Sequence, residues 1–550
     1  MKSTLTRLLA FVMVLLLVFS LCACGSTEKE TGGNAPAEGK TAGTTEAGNS
    51  GDAAEEDAYH VIRIGDADGD PTGSYDTSSP SGSVQYAPGL DRLCFDSLFY
   101  FDGNDELQTR IVEEYHYEDD TTLVLKIRDD IYFSDGTQLD GWDVLYSAQR
   151  YVDNGHTSMT YYVCYDFENS TVSDDGLTIT LKYLYPVGPG IYWLTWPIQS
   201  KDFCEEHDPT DPIWMTSEVP HSGPYDMTEC TLYSSIKYEK RDDYWNSANY
   251  DPEPDEIIVN YYTDATAMFI DFESGNLDIC LGLNTTDYDM AASGAVENCE
   301  AVLIPGNDVL QLIMSDDNEA LLDIRVREAI CHAIDIQSTA IGAFGSLGDP
   351  ATSSLSKTCR YYVEQEPYTY DPELALQLME EAGYGLDNPL NLKFVTTNGD
   401  LQPETAEIVQ AYLSKIGINF TLDVEELNTM LASYFEVGGT DFSWFKITGA
   451  NITRDPKQIY TVFTDAGIFQ QIVRQSDPDL QALIVKGENT VDDAERAEIY
   501  KEIQAYFHDN YITCPITEIY YKACFNTETV KNIHYISTVN TDFANIELAD

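Results

Sequence analysis

The feature that most constrains this chain is a break in composition at residue 58. From Gly25 to Ala58 there is no aromatic residue, only a run dominated by Gly, Ala, Thr, Ser, Asn and Glu. All of the chain's 37 Tyr, 21 Phe and 6 Trp except Phe11 and Phe19 come after it. A segment so poor in apolar side chains cannot bury enough surface to offset its ordering entropy, and reads as a flexible tether. The chain beyond the break, from Tyr59 to Asp550, is rich in residues that build cores and pockets. It is too long for a single hydrophobic core, which predicts two or three folded units.

Before the tether, Lys2 and Arg7 form a short basic region and Leu8 to Leu21 an almost unbroken apolar run. That run suits a secretory signal and is shorter than the ~20 residues of a comfortable membrane span. Leu21-Cys22-Ala23-Cys24-Gly25-Ser26 resembles the lipobox of bacterial lipoprotein precursors. The resemblance implies a signal peptide over 1–23, a diacylglyceryl thioether on Cys24 and a lipidated tether over 24–58. The expected place is the extracellular face of the cell membrane, held by the lipid alone, because no later apolar run is long enough to cross a bilayer.

Acidic residues outnumber basic ones by 94 to 30, a formal net charge of −64. So negative a surface repels nucleic acid and anionic headgroups, and no nucleic-acid partner is expected. Cysteines 94, 164, 204, 230, 280, 299, 331, 359, 514 and 524 are scattered, with no CxxC and no Cys/His spacing of a zinc site. Their pairing stays open. No nucleophile elbow, His-Glu-x-x-His helix or triad points to hydrolysis, so neither catalytic residues, metal nor cofactor are expected.

Periodicity predicts a strand at Tyr59–Gly65 opening into an Asp- and Gly-rich loop, and a helix over Gln85–Leu98. Strand-like passages come next at Thr121–Arg128 and Thr171–Lys182, with a turn at Ser134-Asp135-Gly136 leading to a helix. Strands return around Pro220–Tyr262, at Ala301–Ile304 and at Val309–Met314, with a helix over Ala265–Asn276 between. Beyond Leu321, helices at Asp323–Ala340, Asp371–Gly383 and Glu404–Ile416 alternate with strands at Leu390–Thr396 and Ile418–Val424. Leu480–Asn510 reads as one long helical region, and strands close the chain. This is a layered α/β pattern without internal repeats.

Four stretches together resemble the extracellular solute-binding proteins of the oligopeptide, dipeptide and nickel importer group. Leu123 to Arg128, Ile131 to Thr137 and Trp142-Asp143-Val144 resemble the family's strand, Phe-x-Asp-Gly-Thr turn and helix. Ser222-Gly223-Pro224-Tyr225, with Lys240 to Trp245 after it, is similar to the family's Gly-Pro-Tyr and Asn-x-x-Tyr-Trp pair. Phe272 to Asp278 resembles its Gly-x-x-Asp helix end. Asp323 to Asp335 and Tyr370 to Tyr384 resemble the start of its second lobe. The resemblance implies an α/β, two-lobed periplasmic-binding-protein-like fold of type II, with an extra strand-rich subdomain in lobe 1. Lobe 1 would take 59–95, 216–315 and 515–550, the inserted subdomain 96–215, and lobe 2 316–514. It further implies a monomer that captures a small molecule or peptide by hinged closure and hands it to the permease subunits of an ABC importer. A sensor role for the closed form stays open.

In the resembled peptide binders an Asp shortly before an Asp-Pro pair anchors the ligand's free ammonium. Counting back from Asp455-Pro456 reaches Ile452, Asn451 or Ala450, none of them acidic, while Lys446 adds a cation. The departure leaves three ligand classes open: a peptide held by an acid elsewhere, such as Asp66 or Asp68; a blocked peptide or anionic conjugate; and an oligosaccharide. The expected ligand contacts are Asp66, Asp68, Tyr86, Trp444, Lys446 and Asn451. Arg128, Arg325 and Arg327 are expected in salt bridges and at helix ends, and Trp193 and Trp196 are weaker contact candidates.

Overall fold

The computed structural model describes residues 59–67, 76–78 and most of the chain from Leu93 to Ala549, apart from short internal gaps at residues including 103–105, 155–163, 398–400, 446–454 and 465–476. Tyr59–Asp550 forms one compact unit. Its spine is an eleven-stranded sheet. In chain order the strands are β1 Val61–Asp66, β2 Tyr225–Thr231, β3 Ser235–Lys240, β4 Glu256–Tyr261, β5 Ile279–Leu281 and β6 Cys299–Met314. They continue with β7 Asp349–Pro350, β8 Leu390–Thr396, β9 Ile418–Val424, β10 Phe442–Phe445 and β11 Thr513–Asn526.

The spatial order is β9-β8-β10-β6-β11-β5-β1-β4-β3-β2, with β7 pairing β11 off this path. β1 is parallel to both β4 and β5, and β8 to both β9 and β10. Parallel neighbours need crossovers, which the helices between them supply. At the centre β6 and β11 run antiparallel over their whole lengths.

Those two strands pass from one core to another. Ile304 of β6 and Ala523 and Phe525 of β11 lie in a core with β1 to β5. Leu310, Leu312 and Met314 of β6 and Cys514, Ile516 and Ile519 of β11 lie in a second core with β8 to β10. The changeover falls at a shift in register between Pro305 and Val309. The sequence reads this place as a break between two strands because Pro-Gly usually punctuates. Here Pro305 and Gly306 instead enter a bulge within one sixteen-residue strand. A Cβ on Gly306 would stand 2.2 Å from the Ile519 carbonyl oxygen, so only glycine allows the strands this approach.

A third core, between Leu98 and Ile198, surrounds a separate four-stranded antiparallel sheet that includes Val112–Asp119 and Thr122–Ile127. Asp135 and Gly136 make the expected turn. Gly136 has φ +84°, and the Asp135 carboxylate accepts from Thr137 N at 2.9 Å. The helix Gly141–Asp153 then starts from Asp140, whose side chain accepts from Trp142 N and Asp143 N while Asp143 returns the bond to Asp140 N.

Two expected long helices are each divided. Ile334 is extended and Asp335 caps a new helix, Ile336–Phe344, by accepting from Ser338 N. Likewise Asp492 caps Asp493–Asp509 after Pro478–Asn489 has ended at Thr490. In both places an aspartate that offers the backbone a cap outweighs the apolar periodicity running through it. The expected helix Gln85–Leu98 lies for the most part outside the described residues, as do the signal segment, Cys24 and the tether. No helix among the described residues is long and apolar enough to cross a membrane.

Candidate functional site

Of the ligand contacts expected from sequence, Asp66 and Trp444 are described, one on each side of the β6–β11 pair. Asp66 ends β1, is 2% exposed, and its carbonyl accepts from Tyr262 N at 2.8 Å. Trp444 lies on β10 opposite Leu312, 6% exposed. Its indole N–H donates to the Gln402 carbonyl at 2.9 Å, and its ring centroid is 5.2 Å from that of Phe394. These contacts place Trp444 in the core of its half, where it stiffens β10. β1 and β10 stand four places apart in the sheet, about 19 Å by strand spacing. Asp68, Tyr86, Lys446 and Asn451 lie outside the described residues.

The junction between the halves carries polar groups that the sequence pattern does not single out. Glu518 of β11 faces Val309 just past the bulge and is 4% exposed. Burial pushes its carboxyl up to about 7, opposed by a hydrogen bond with Ser356 and by the Lys357 charge. Its Oε1 has no hydrogen-bond partner among the described residues. The bulge is held from the side: Ser356 Oγ and Thr358 Oγ1 both donate to the Gly306 carbonyl, at 2.8 and 2.9 Å. Asp308, also buried, accepts from the Tyr521 hydroxyl at 3.2 Å. The one local signal for Glu518 is a single carboxylate inside an otherwise apolar strand, Ile516-Thr517-Glu518-Ile519.

A second set of contacts joins the halves away from the strands. Arg360 lies over the Tyr192 ring at 4.0 Å and the Phe101 ring at 5.2 Å. Lys457 lies 5.5 Å from the Trp193 ring, and Gly188 N donates to the Glu488 carbonyl at 3.1 Å. Gly188 approaches so closely that a Cβ there would overlap the Thr490 carbonyl oxygen. Trp193 belongs to the core of the four-stranded sheet. The segments around Arg360, Lys457 and Glu488 instead border the core built on Tyr460, Ile484, Tyr500 and Phe507. That side is stiffened by a fully buried ion pair, Arg496 with Asp455.

The arginines expected in structural roles hold them. Arg128 makes a two-point bond with Asp130 at 2.9 and 2.7 Å, and Arg325 pairs with Asp323 at the start of a helix. Arg327 donates to the carbonyls of Leu321, Leu322 and Asn510. Among the described residues no group of three or more His, Cys, Asp or Glu is arranged to hold a metal ion. The two cores are thus joined by two strands, with buried carboxylates at the joint and a cationic clasp on aromatic rings beside it.

Comparison with known proteins gives the arrangement its relatives. The sequence profile of the bacterial extracellular solute-binding proteins, family 5 Middle, matches residues 106–470. The nickel-binding protein NikA of Staphylococcus aureus is 25% identical over 60% of this chain and 64% of its own length. The chain thus spans just under two thirds of that relative. The glutathione-binding protein GsiB of Salmonella paratyphi A is 23% identical over 79% of this chain and 83% of its own. The oligopeptide-binding protein AppA of Bacillus subtilis, solved with a nonapeptide, superposes with a TM-score of 0.70 at 18% identity. That superposition covers 90% of this chain and all of AppA.

Proposed function

The chain belongs to the bacterial extracellular solute-binding proteins of family 5, and from that premise we propose that it is the solute-capturing component of an ABC importer, with a peptide as its ligand. A match of the family profile over two thirds of the chain carries this reading. Solute-binding proteins of this family have the two-lobed α/β fold, and they bind rather than catalyse. The lobes proposed here are those expected from sequence, with their borders moved to where the cores change over, near Pro305 on β6 and between Ile519 and Ala523 on β11.

A peptide is favoured by the nonapeptide held in AppA and by the glutathione named for GsiB. Because no acid stands at the expected anchor position, the ligand's ammonium falls to a carboxylate elsewhere. Asp66 at the end of β1 and Glu518 at the junction are the candidates, both buried and therefore able to make a strong bond to a cation. Asp68, Tyr86, Trp444, Lys446 and Asn451 remain proposed contacts or walls of the same cleft.

Thermal melting of Tyr59–Asp550 with free-amine peptides, N-blocked peptides and oligosaccharides tests this. A ligand at a hundred times its Kd adds about 2.7 kcal/mol of stability. Free-amine peptides are expected to raise the melt; if only oligosaccharides do so the peptide reading fails, and if only blocked peptides do so the carboxylate anchor fails.

We further propose that Cys24 carries the lipid that holds the protein at the outer membrane face, on the strength of the apolar run and lipobox before it. Growth with a clickable fatty acid should label the full chain and leave Cys24→Ser unlabelled. Equal labelling of both would exclude this anchor.

A further inference from the structure

A cavity of about 280 Å³ opens on the first half of the molecule, between the hairpin Phe99–Phe101/Leu107–Thr109 and the segment around Trp245–Tyr250. All of its lining residues lie between Tyr100 and Tyr250, so it is not part of the junction at β6 and β11. Its volume is at the small end for a ligand pocket. Val112 is the one aliphatic side chain among the described lining residues; the others are polar or aromatic.

The lining is rich in donors. In a protein with 94 acidic residues, two arginines and no carboxylate line this cavity. Arg110, 11% exposed, is held between the rings of Tyr100 and Tyr250, at 4.4 and 5.0 Å. Asp96 lies 3.7 Å from Arg110 Nη1, but its oxygens are occupied by the Trp245 indole N–H at 2.6 Å and the Tyr244 hydroxyl at 3.2 Å. Arg110 Nη1 donates to Tyr244 at 3.3 Å, while Nε and Nη2 have no hydrogen-bond partner among the described residues. Arg128 lies over the Trp245 ring at 5.1 Å with its Nε and Nη2 bonded to Asp130, which leaves Nη1. Aromatic rings against a guanidinium engage its face and leave its edge for an acceptor.

We propose that this cavity is a second ligand site, taking a small polyhydroxylated oxyanion of the sugar-acid or sugar-phosphate type. The Nε–Nη2 edge of Arg110 matches a carboxylate or phosphate, and Arg128 Nη1 adds a further donor. Asn246 and Asn249, each both donor and acceptor, match hydroxyl groups beside it. The site stands whether or not the cleft binds peptides, because the two share no residue.

The test is calorimetric titration of the full chain with glucuronate, glucose 6-phosphate, inorganic phosphate and glucose. Arg110 is left intact, since removing it would strand buried Asp96; the variants are Arg128→Gln and Asn249→Leu, both at accessible positions. Saturable binding of glucuronate or glucose 6-phosphate is expected, with whichever binds tighter naming the anion. Each variant should weaken it about tenfold, and added salt should weaken it further. The proposal is overturned by no saturable binding of any anion at millimolar concentration, by glucose binding as tightly as glucuronate, or by unchanged affinity in both variants. Inorganic phosphate binding alone, without either sugar anion, overturns it too. A sugar held in the inter-lobe cleft would keep its affinity in both variants, which separates the two sites.

Discussion

Glu518 shows how one side chain can make stability depend on pH in an unusual direction. Its carboxyl is raised to about 7, so between the ordinary carboxylate range and pH 7 the folded chain binds more protons here than the unfolded chain. Stability from this group is therefore present at low pH and is lost as pH rises toward 7, the reverse of a salt-bridged acid. Glu518→Gln keeps the shape and removes the charge. It should stabilise the protein at pH 8 by on the order of 2 kcal/mol and change little at pH 4. Urea melts of both proteins at the two pH values measure this, and an equal effect at both would refute it. If Glu518 also anchors a ligand ammonium, the same variant loses ligand affinity at pH 8 while gaining stability.

At the scale of elements, the β6 bulge is a point of close backbone approach. Gly306→Ala places a methyl group against the Ile519 backbone, which cannot swing away as a side chain would. A loss of about 1–3 kcal/mol in chemical denaturation is expected; a change under a few tenths would mean the strands separate freely there. Strands and helices with a clean period were legible in the sequence, including Leu390–Thr396, Ile418–Val424 and Ala265–Glu273, which ends ahead of Gly275 at φ +75°. Continuity was harder to read. A Pro-Gly pair looks the same in a turn as in a bulge, and an aspartate inside an apolar period looks the same on a helix surface as at a cap. The site was less legible still. Tyr192 with Arg360, and Gly188 with Glu488, meet only through the approach of distant segments, and nothing local marks them. Of the six expected ligand contacts, Asp66 and Trp444 are in the described structure, and Trp444 has its indole engaged by Gln402.

For the whole molecule, the proposed closure on a ligand would depend on the contacts that the open and closed forms must each break. Each half has its own core, in which every fully buried Leu, Ile or Phe contributes about 1.5–3 kcal/mol, so neither half deforms readily. Between them lie β6, β11 and the clasp of Arg360, Lys457 and Glu488 against Tyr192, Trp193 and Gly188. Bending two strands at a bulge and releasing a few rim contacts is far cheaper than unpacking a core. Arg360→Ala removes a cation held over two rings, worth about 0.5–2 kcal/mol. It should raise the open fraction of unliganded protein several-fold and weaken ligand binding in step. Small-angle scattering would show a larger radius of gyration without ligand and no difference at saturation; identical curves without ligand would rule out the clasp.

The antiparallel pairing of β6 and β11 also says something about how such a chain is assembled from parts. Pro305 and Tyr520 are register partners, side by side in neighbouring strands. Everything between them is, in topological terms, the loop of a single β-hairpin, grown until it contains a folded body of its own. A loop of that kind adds only a slowly rising closure entropy to the protein that carries it. The second half is thus a guest whose entry and exit share one doorway. Exchanging the guest would alter what the cleft grips while leaving the host's fold, and the cavity on its surface, as they are.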